Sequence, residues 1–578
     1  MIEEVTFDFA DVAPSTDWRY RDYQVEALTA IQEGWLKYRR QLLVLPTGGG
    51  KTVVFAAEAK MTVKAGGRVL VLTHIEELFK QAADKIERST GIVVDREKAE
   101  LRASLTSPLV VASIQTLQRV DRLKTFPHDH FDLVIVDECH HLAAASWSRV
   151  VNYFQWGPGS LDPDWKMPLP DADVQTFSRS LGVTATPDRA DRKSLGNFYQ
   201  HCAYHYDLLQ ACRAGWLVRP MIRNIPVKID LTGVNVRRTV LGADLDMEEV
   251  IHRITPFLGA MTEMLVREIG RRKTVVFVPS VRIAELCADM VNKLGATSAF
   301  VSGECPDRTQ KMERFHAGWP QVMFCAMLLV EGYDDDGVSC ISIWRPTKIR
   351  SFYAQAIGRG MRVLEGLLTV DMTREERLAA IRLSKKCDLL ILDPLWLGDN
   401  LNLMCAVDLV ARNPKIREIM LAKPESDLIE SESNAEFELL ASLERAAKEQ
   451  QNRKARTYDP LEFAAETGAK DVVKFEPSEG WEFLEPTPAQ LQRLHSWRIE
   501  SQKIENRGMA SRMIELVARR ARLGLIRPGQ MKCLHQMGYK NLADMTAKNA
   551  DRIIDQHKAW ADKRAWRTDP QGTFELVE

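Results

Sequence analysis

Residues suited by type and spacing to grip a phosphate run through Pro46-Thr47-Gly48-Gly49-Gly50-Lys51-Thr52. An apolar run, Leu42 to Leu45, precedes them, and a helix-forming run, Val53 to Lys60, follows. Strand, glycine-rich turn, Lys-Thr and helix is the layout of a phosphate cradle, because glycines let backbone N–H groups close on phosphate oxygens. Lys51 supplies a point charge to the β- and γ-phosphates of a nucleoside triphosphate, and Thr52 offers a hydroxyl to Mg²⁺. The strict pattern places a glycine five residues before Gly50; Leu45 stands there instead. A glycine-rich turn with an incidental lysine is the plain alternative.

Asp137-Glu138-Cys139-His140-His141 follows the apolar strand Phe131–Val136. An acidic pair at the C-terminal edge of a strand, beside a phosphate loop, is where Mg²⁺ is held and water is activated. Asp137 would hold the metal and Glu138 would polarise the attacking water. His140 is read as a hydrogen-bonding link to neighbouring elements rather than a zinc ligand. Thr184-Ala185-Thr186-Pro187 ends another strand, and its hydroxyls can bridge to Asp137 and Glu138. Far along the chain, Gln355-Ala356-Ile357-Gly358-Arg359-Gly360-Met361-Arg362 sets two arginines three apart. Alone these are surface charges; aimed at a γ-phosphate, they stabilise transition-state charge.

The elements that must position these groups alternate between strand and helix. Leu42–Leu45, Val69–Thr73, Leu109–Ser113, Leu133–Val136 and Leu181–Thr184 are apolar runs of strand length. Their alternation with helical stretches predicts a parallel sheet with crossover helices. A second α/β unit starts near Lys273, with Thr274–Val278, Ala299–Val301, Val322–Cys325, Ile341–Trp344 and Asp388–Leu392 as strands. Residues 157–173 read as a surface insertion, and 221–246 as a bridge between the units. Beyond Pro486 a period of 40 residues recurs: Pro488, Gln490, Leu494 and His495 return as Pro528, Gln530, Leu534 and His535. That predicts two copies of a small helical unit packed on each other.

The chain has 578 residues, a net charge of −1 and ten cysteines with no Cys-x-x-Cys pair. This length predicts three or four domains, and the cysteines predict neither a disulfide framework nor a zinc site. No apolar run approaches the ~20 residues that span a bilayer, and a reduced, cytoplasmic setting fits. The near-neutral total hides an asymmetry: residues 488–567 hold 17 Lys and Arg against 7 Asp and Glu. Such a segment is either a nucleic-acid surface or a set of solvated helix faces.

In chain order, these segments resemble the motifs of superfamily 2 helicases and translocases, over roughly Trp18 to Asp393. Arg21 and Gln24, in Tyr-Arg-Asp-Tyr-Gln, resemble the Q-type motif that reads adenine. Thr47 to Thr52 resembles motif I in its helicase form, Pro-Thr-Gly-x-Gly-Lys-Thr, which dispenses with the glycine missing at Leu45. Thr73 and His74 resemble motif Ia, and Ser113, Gln115 and Thr116 motif Ib; both touch the nucleic-acid backbone in the family. Asp137 to His140 resembles motif II, Thr184 to Thr186 motif III, and Val276-Phe277-Val278 motif IV. Glu331-Gly332-Tyr333-Asp334 resembles motif V, which places Gly332 and Asp334 at the ATP site, and Gln355 to Arg362 resembles motif VI.

The resemblance implies an α/β fold of two tandem RecA-like lobes with parallel sheets, followed here by the α-helical repeat domain. It implies ATP and Mg²⁺, with Thr47, Gly48, Gly49, Gly50, Lys51, Thr52 and Asp137 at the phosphates and Thr52 and Asp137 on the metal. Glu138, Gln355, Arg359 and Arg362 would be catalytic, and Thr184, Thr186 and His140 would couple the site to movement. Asp-Glu-Cys-His, Gly-Val-Thr-Ala-Thr-Pro and Gln-x-x-Gly-Arg-Gly-x-Arg are most similar to the DNA-directed branch, which holds RadD, UvsW, the XPB helicases and restriction-enzyme motors. A bacterial or phage-type DNA helicase or translocase is therefore expected. RNA as substrate, a motor subunit of a restriction or defence complex, and a non-catalytic nucleic-acid sensor are the alternatives. The expected boundaries are 1–215 and 256–420 for the lobes, 216–255 for a connector, 421–485 for an acidic linker, 486–569 for the basic repeats and 570–578 for a tail. The repeats would add a second hold on DNA or dock a protein partner.

Overall fold

The computed structural model describes residues 9, 19–73, 76–162, 164–168, 176–185, 195–239, 242–303, 305–326, 335–397, 403–411, 414–421, 426–449, 458–475, 477 and 479–565. They form two compact units, divided between Ala435 and Glu436.

The first unit holds two seven-stranded sheets. Strands β1 (Arg40–Val44), β2 (Val69–Thr73), β3 (Asp95–Glu97), β4 (Leu109–Ser113), β5 (Leu133–Asp137), β6 (Arg179–Thr184) and β7 (His201–His205) form one, in the order β3-β4-β2-β5-β6-β1-β7. Every neighbouring pair in it is parallel. Strands β1, β2 and β4 are buried at all five positions. This is the signature of a sheet covered on both faces, for which near-continuous runs of Val, Leu and Ile are required. Leu42, Leu70, Val110 and Val134 pack with Phe131, Val150, Phe154 and Tyr199 in its core. The registers Val44↔Thr184 and Asp137↔Val183 bring the C-terminal ends of β1, β5 and β6 to one edge.

The second sheet runs β12-β13-β11-β14-β15-β8-β16. Its members are β8 (Arg219–Asp230), β11 (Thr274–Val278), β12 (Ser298–Val301), β13 (Val322–Ala326), β14 (Cys340–Ile343), β15 (Asp388–Leu397) and β16 (Ser426–Asp427); β9 (Val236–Thr239) and β10 (Gly242–Leu245) form a separate antiparallel hairpin. Only β16 pairs antiparallel within this sheet. Strand β8 comes from the stretch expected to be a connector, and it pairs with β15 along its length.

The second unit has its own core, in which Tyr458, Phe463 and Val472 join Leu494, Met513, Leu516, Met531, Leu534 and Ile554. Residues 458–475, expected in the acidic linker, thus share the interior of the repeats. The repeat is structural as well as sequential. Thr487 N–H donates to Gln490 Oε1 at 2.9 Å and Arg527 N–H to Gln530 Oε1 at 3.0 Å. The other end of each glutamine crosses to the next helix, reaching Ser511 Oγ at 2.9 Å and Asp551 Oδ1 at 2.6 Å. Each first helix ends in a left-handed residue, Arg498 (φ 63°) in one copy and Gly538 (φ 87°) in the other.

Candidate active site

The loop after β1 turns through two left-handed glycines, Gly48 (φ 84°) and Gly50 (φ 76°), and Gly50 caps the helix Lys51–Lys64. Helix starts carry N–H groups with no intrahelical partner, which makes this one a ready anion site. A Cβ at Gly50 would lie 2.4 Å from Gln24 Nε2, and one at Gly49 would lie 2.9 Å from the Pro46 carbonyl. Only glycine permits this packing. Gln24 is itself turned inward: its Oε1 accepts from Arg21 N–H at 3.0 Å, and its Nε2 lies 3.5 Å from the Gly49 carbonyl. The Tyr23 hydroxyl donates to the same carbonyl at 2.8 Å. Gln24 therefore braces the loop from below.

Lys51 Nζ makes a 2.7 Å ion pair with Glu138 Oε1, both side chains being largely shielded from solvent. Glu138 Oε2 lies 3.5 Å from His140 Nδ1, which lies 3.3 Å from Thr184 Oγ1. The expected link from the acidic pair to the end of β6 is thus present in the geometry. Glu138 has a left-handed backbone (φ 49°), rare for a side chain of its size and found where a site over-determines conformation. Its N–H donates to Asp137 Oδ1 at 3.0 Å. Burial, and then the neighbouring Glu138 charge, push the Asp137 carboxyl up to about 6. Burial also acts to raise Glu138, but Lys51 and His140 together override it and hold that carboxyl down at about 2.

The helix Arg350–Gly360 of the second lobe meets this loop directly. A Cβ at Gly358 would fall 2.5 Å from Thr47 Cβ, and one at Gly48 would fall 3.1 Å from Arg362 Cγ. Burial pushes the Arg362 guanidinium below its usual range. Partial burial, then Arg362 and Arg359, lower the Lys85 ammonium, so three cations share this mouth of the cleft. Gln355 is buried on the same helix. Thr52, the pair Asp137 and Glu138, and the pair Arg359 and Arg362 come from three distant stretches of chain, yet they gather at one loop.

The expected nucleic-acid residues occupy the same sheet edge. Thr73 ends β2 as a buried residue whose Oγ1 has no hydrogen-bond partner among the described residues. Ser113 ends β4 and donates to Gln115 Oε1 at 2.6 Å, and Gln115 is exposed. Thr116 is turned inward, its hydroxyl accepting from Ala99 N–H at 3.1 Å. His74, Thr186, Gly332 and Asp334 lie outside the described residues. No motif pointed to Trp216, Leu217 or Arg377, which also reach the site. Their only sequence signal is a tryptophan directly after Gly215.

Residues 17–189 match the family described as type III restriction enzyme, res subunit, and residues 258–364 match the helicase conserved C-terminal domain. With both modules in order on two parallel-sheet lobes, the chain belongs to superfamily 2 of the helicases. It is 26% identical over 361 residues to a Saccharomyces cerevisiae protein classed as the ATP-dependent helicase IRC3, covering 59% of this chain and 49% of that one. It is 28% identical over 359 residues to a Schizosaccharomyces pombe protein classed as a mitochondrial ATP-dependent helicase, covering 60% and 56%. It is also 30% identical over 177 residues to the DNA 3'-5' translocase XPB2 of Sulfurisphaera tokodaii, covering 30% and 32%. The chain spans about half the length of the two yeast relatives. These two do not support the expected bacterial or phage-type origin. Among the described residues, no helix is long and apolar enough to cross a membrane.

Proposed function

We propose that this chain is a DNA-dependent ATPase that converts cleft closure between its two lobes into movement along DNA. The observation that carries the reading is the Lys51–Glu138 pair, facing Arg362 across the phosphate loop. The match to a restriction-enzyme subunit family and the likeness to a protein named as a DNA translocase favour DNA over RNA.

In this reading Lys51 is parked on Glu138 until triphosphate enters the loop. The phosphates compete for the ammonium, and its transfer frees Glu138 to orient and polarise the attacking water. Gln355 positions that water from the other lobe. Arg359 and Arg362 stabilise charge on the transferring phosphoryl group, a contribution worth ~10³–10⁵ in rate for an arginine of this kind. His140 passes the state of Glu138 to Thr184 at the end of β6. Thr52 and Asp137 would hold Mg²⁺, which when bound neutralises charge on the β- and γ-phosphates. The donor set fits a hard cation, because a carboxylate that burial disfavours as an anion is one that a cation stabilises. Gln115, exposed just beyond the end of β4, faces the nucleic-acid backbone, and phosphate contacts at this edge make binding salt-dependent and weakly sequence-selective.

The test is ATP hydrolysis by the purified protein with single-stranded DNA, duplex DNA, forked DNA or RNA. Stimulation by DNA upholds the reading. Stimulation by RNA alone moves the chain to the RNA helicases, and no hydrolysis with any of them leaves a sensor or scaffold.

A further inference from the structure

The segment between the two sheets is more than a tether. Leu217 Cδ2 lies 3.3 Å from where a Cβ on Gly48 would be, so this segment touches the phosphate loop. Val218 N–H donates to the Met361 carbonyl at 2.9 Å, beside Arg362. Between these contacts, the indole of Trp216 is 3% exposed and carries two guanidinium groups against its ring. The Arg21 guanidinium stands 4.7 Å from its ring centre and that of Arg377 4.0 Å. Its Nε1 donates to Asp22 Oδ1 at 3.0 Å, and the Tyr23 ring meets its edge at 6.2 Å. Arg21 also donates to the Tyr23 hydroxyl at 3.0 Å, and Tyr23 continues to the Gly49 carbonyl.

Arg377 belongs to the second lobe, on the helix Arg374–Leu383, and is 5% exposed. It donates to the Ala214 carbonyl at 2.9 Å and the Met372 carbonyl at 2.7 Å, and lies 3.8 Å from Asp22. Arg374 fastens the same segment at the Arg213 carbonyl, at 2.7 Å. A left-handed turn at Gly215 (φ 75°), where a Cβ would fall 3.0 Å from Arg377 Cβ, permits the approach.

We infer that Trp216 is a positioning residue of the nucleotide site: held between Arg21 of the base-reading segment and Arg377 of the second lobe, it makes cleft closure depend on the base. This rests on the proposed ATPase function. A guanidinium stacked on a buried indole is attracted electrostatically and keeps a defined plane. Arg21 is thus oriented by a residue that also answers to the second lobe through Arg377. A nucleotide base that engages Arg21 bears on that clasp, whereas a bare polyphosphate in the loop does not.

The experiment compares Trp216→Ala, Trp216→Phe and Arg21→Ala with the wild-type full chain. Hydrolysis of ATP, GTP and inorganic tripolyphosphate is measured at saturating DNA, and the radius of gyration is measured by small-angle scattering without nucleotide. Trp216→Ala should lower kcat/KM for ATP by about tenfold while leaving tripolyphosphate turnover unchanged, which general structural damage would not do. It should level the preference for ATP over GTP and enlarge the radius of gyration. Trp216→Phe, which keeps a ring between the guanidinium groups, should restore most of the ATP rate. Trp216→Ala and Arg21→Ala should be non-additive on the ATP:GTP ratio. Equal losses on ATP and tripolyphosphate, or additive effects, overturn the inference. If the wild type hydrolyses nothing, the proposed function fails. The scattering arm then decides the clasp alone, an unchanged radius overturning it.

Discussion

Lys51 Nζ lies 2.7 Å from Glu138 Oε1 although the two residues are 87 positions apart and belong to different turns of the first lobe. In the proposed function both charges serve the triphosphate, and here they neutralise each other. The pair leaves neither shielded charge uncompensated, and on the proposed function it would couple ligand entry to release of the carboxylate that activates water. Lys51→Ala and Glu138→Gln should each abolish DNA-stimulated hydrolysis, with loss of at least ~10²-fold in kcat. Normal turnover by either variant refutes the site. Their stabilities should differ. Removing the lysine strands a shielded carboxylate, whereas the glutamine keeps a neutral partner, so Lys51→Ala should melt at the lower temperature.

Gly358→Ala tests the meeting of the lobes. Its Cβ would lie 2.5 Å from Thr47 Cβ, a collision between lobes rather than within a core. The variant should fold normally and bind DNA, yet hydrolyse ATP at least about tenfold more slowly, because Arg359 and Arg362 are carried away from the loop. Melting temperature and kcat, measured together, check this.

A pH dependence follows from Asp393 in the second lobe. One carboxylate oxygen accepts from the Tyr353 hydroxyl and the other from Ile343 N–H at 3.2 Å. Burial pushes this carboxyl up to about 6, outweighing the lowering by Tyr353. A group raised on folding contributes stability that is complete below its ordinary range and is lost as pH rises through about 6. Relative to pH 7, unfolding at pH 5, one unit below the raised value, should therefore draw extra resistance from this site of about 1.4 kcal/mol. Asp393→Asn should remove that increment. An unaltered pH profile of stability in the variant counts against it.

The second unit invites a truncation. Because 458–475 share the repeats' core, a cut at 486 would tear that core open, and a cut at 450 respects it. Removing 450–578 should spare basal ATP hydrolysis, weaken DNA binding and flatten the slope of log K against log salt, since 17 cations and 7 anions leave with residues 488–567. Unchanged affinity and slope would mark the unit as a protein-docking module.

Much of the first sheet was legible because each of its central strands is an apolar run buried on both faces, and chemistry hangs on the strand ends. Strands Val69–Thr73, Leu109–Ser113 and Thr274–Val278 lie where the apolar runs put them. Strand β8 was not legible. Its sequence, Arg-Pro-Met-Ile-Arg-Asn-Ile-Pro-Val-Lys-Ile-Asp, mixes prolines and charges, and pairing with β15 and β16 makes it a strand. Strand β7 is half-exposed because it lies at the edge of the first sheet, where a polar sequence is tolerated. Within the site, loop, acidic pair and arginines carry local patterns. Gln24 tucked under Gly50, or Trp216 between two arginines, depends on contacts across long stretches of sequence that no local spacing encodes.

The glutamine bridge that recurs forty residues apart makes the C-terminal unit its own control experiment. Arg498 and Gly538 occupy equivalent left-handed turns, one with a side chain and one without. His535 is buried against Glu466 at 2.7 Å, whereas its counterpart His495 faces solvent. A position relaxed in one copy and strained in the other, or sealed in one and open in the other, shows which features the shape demands and which each copy is free to vary.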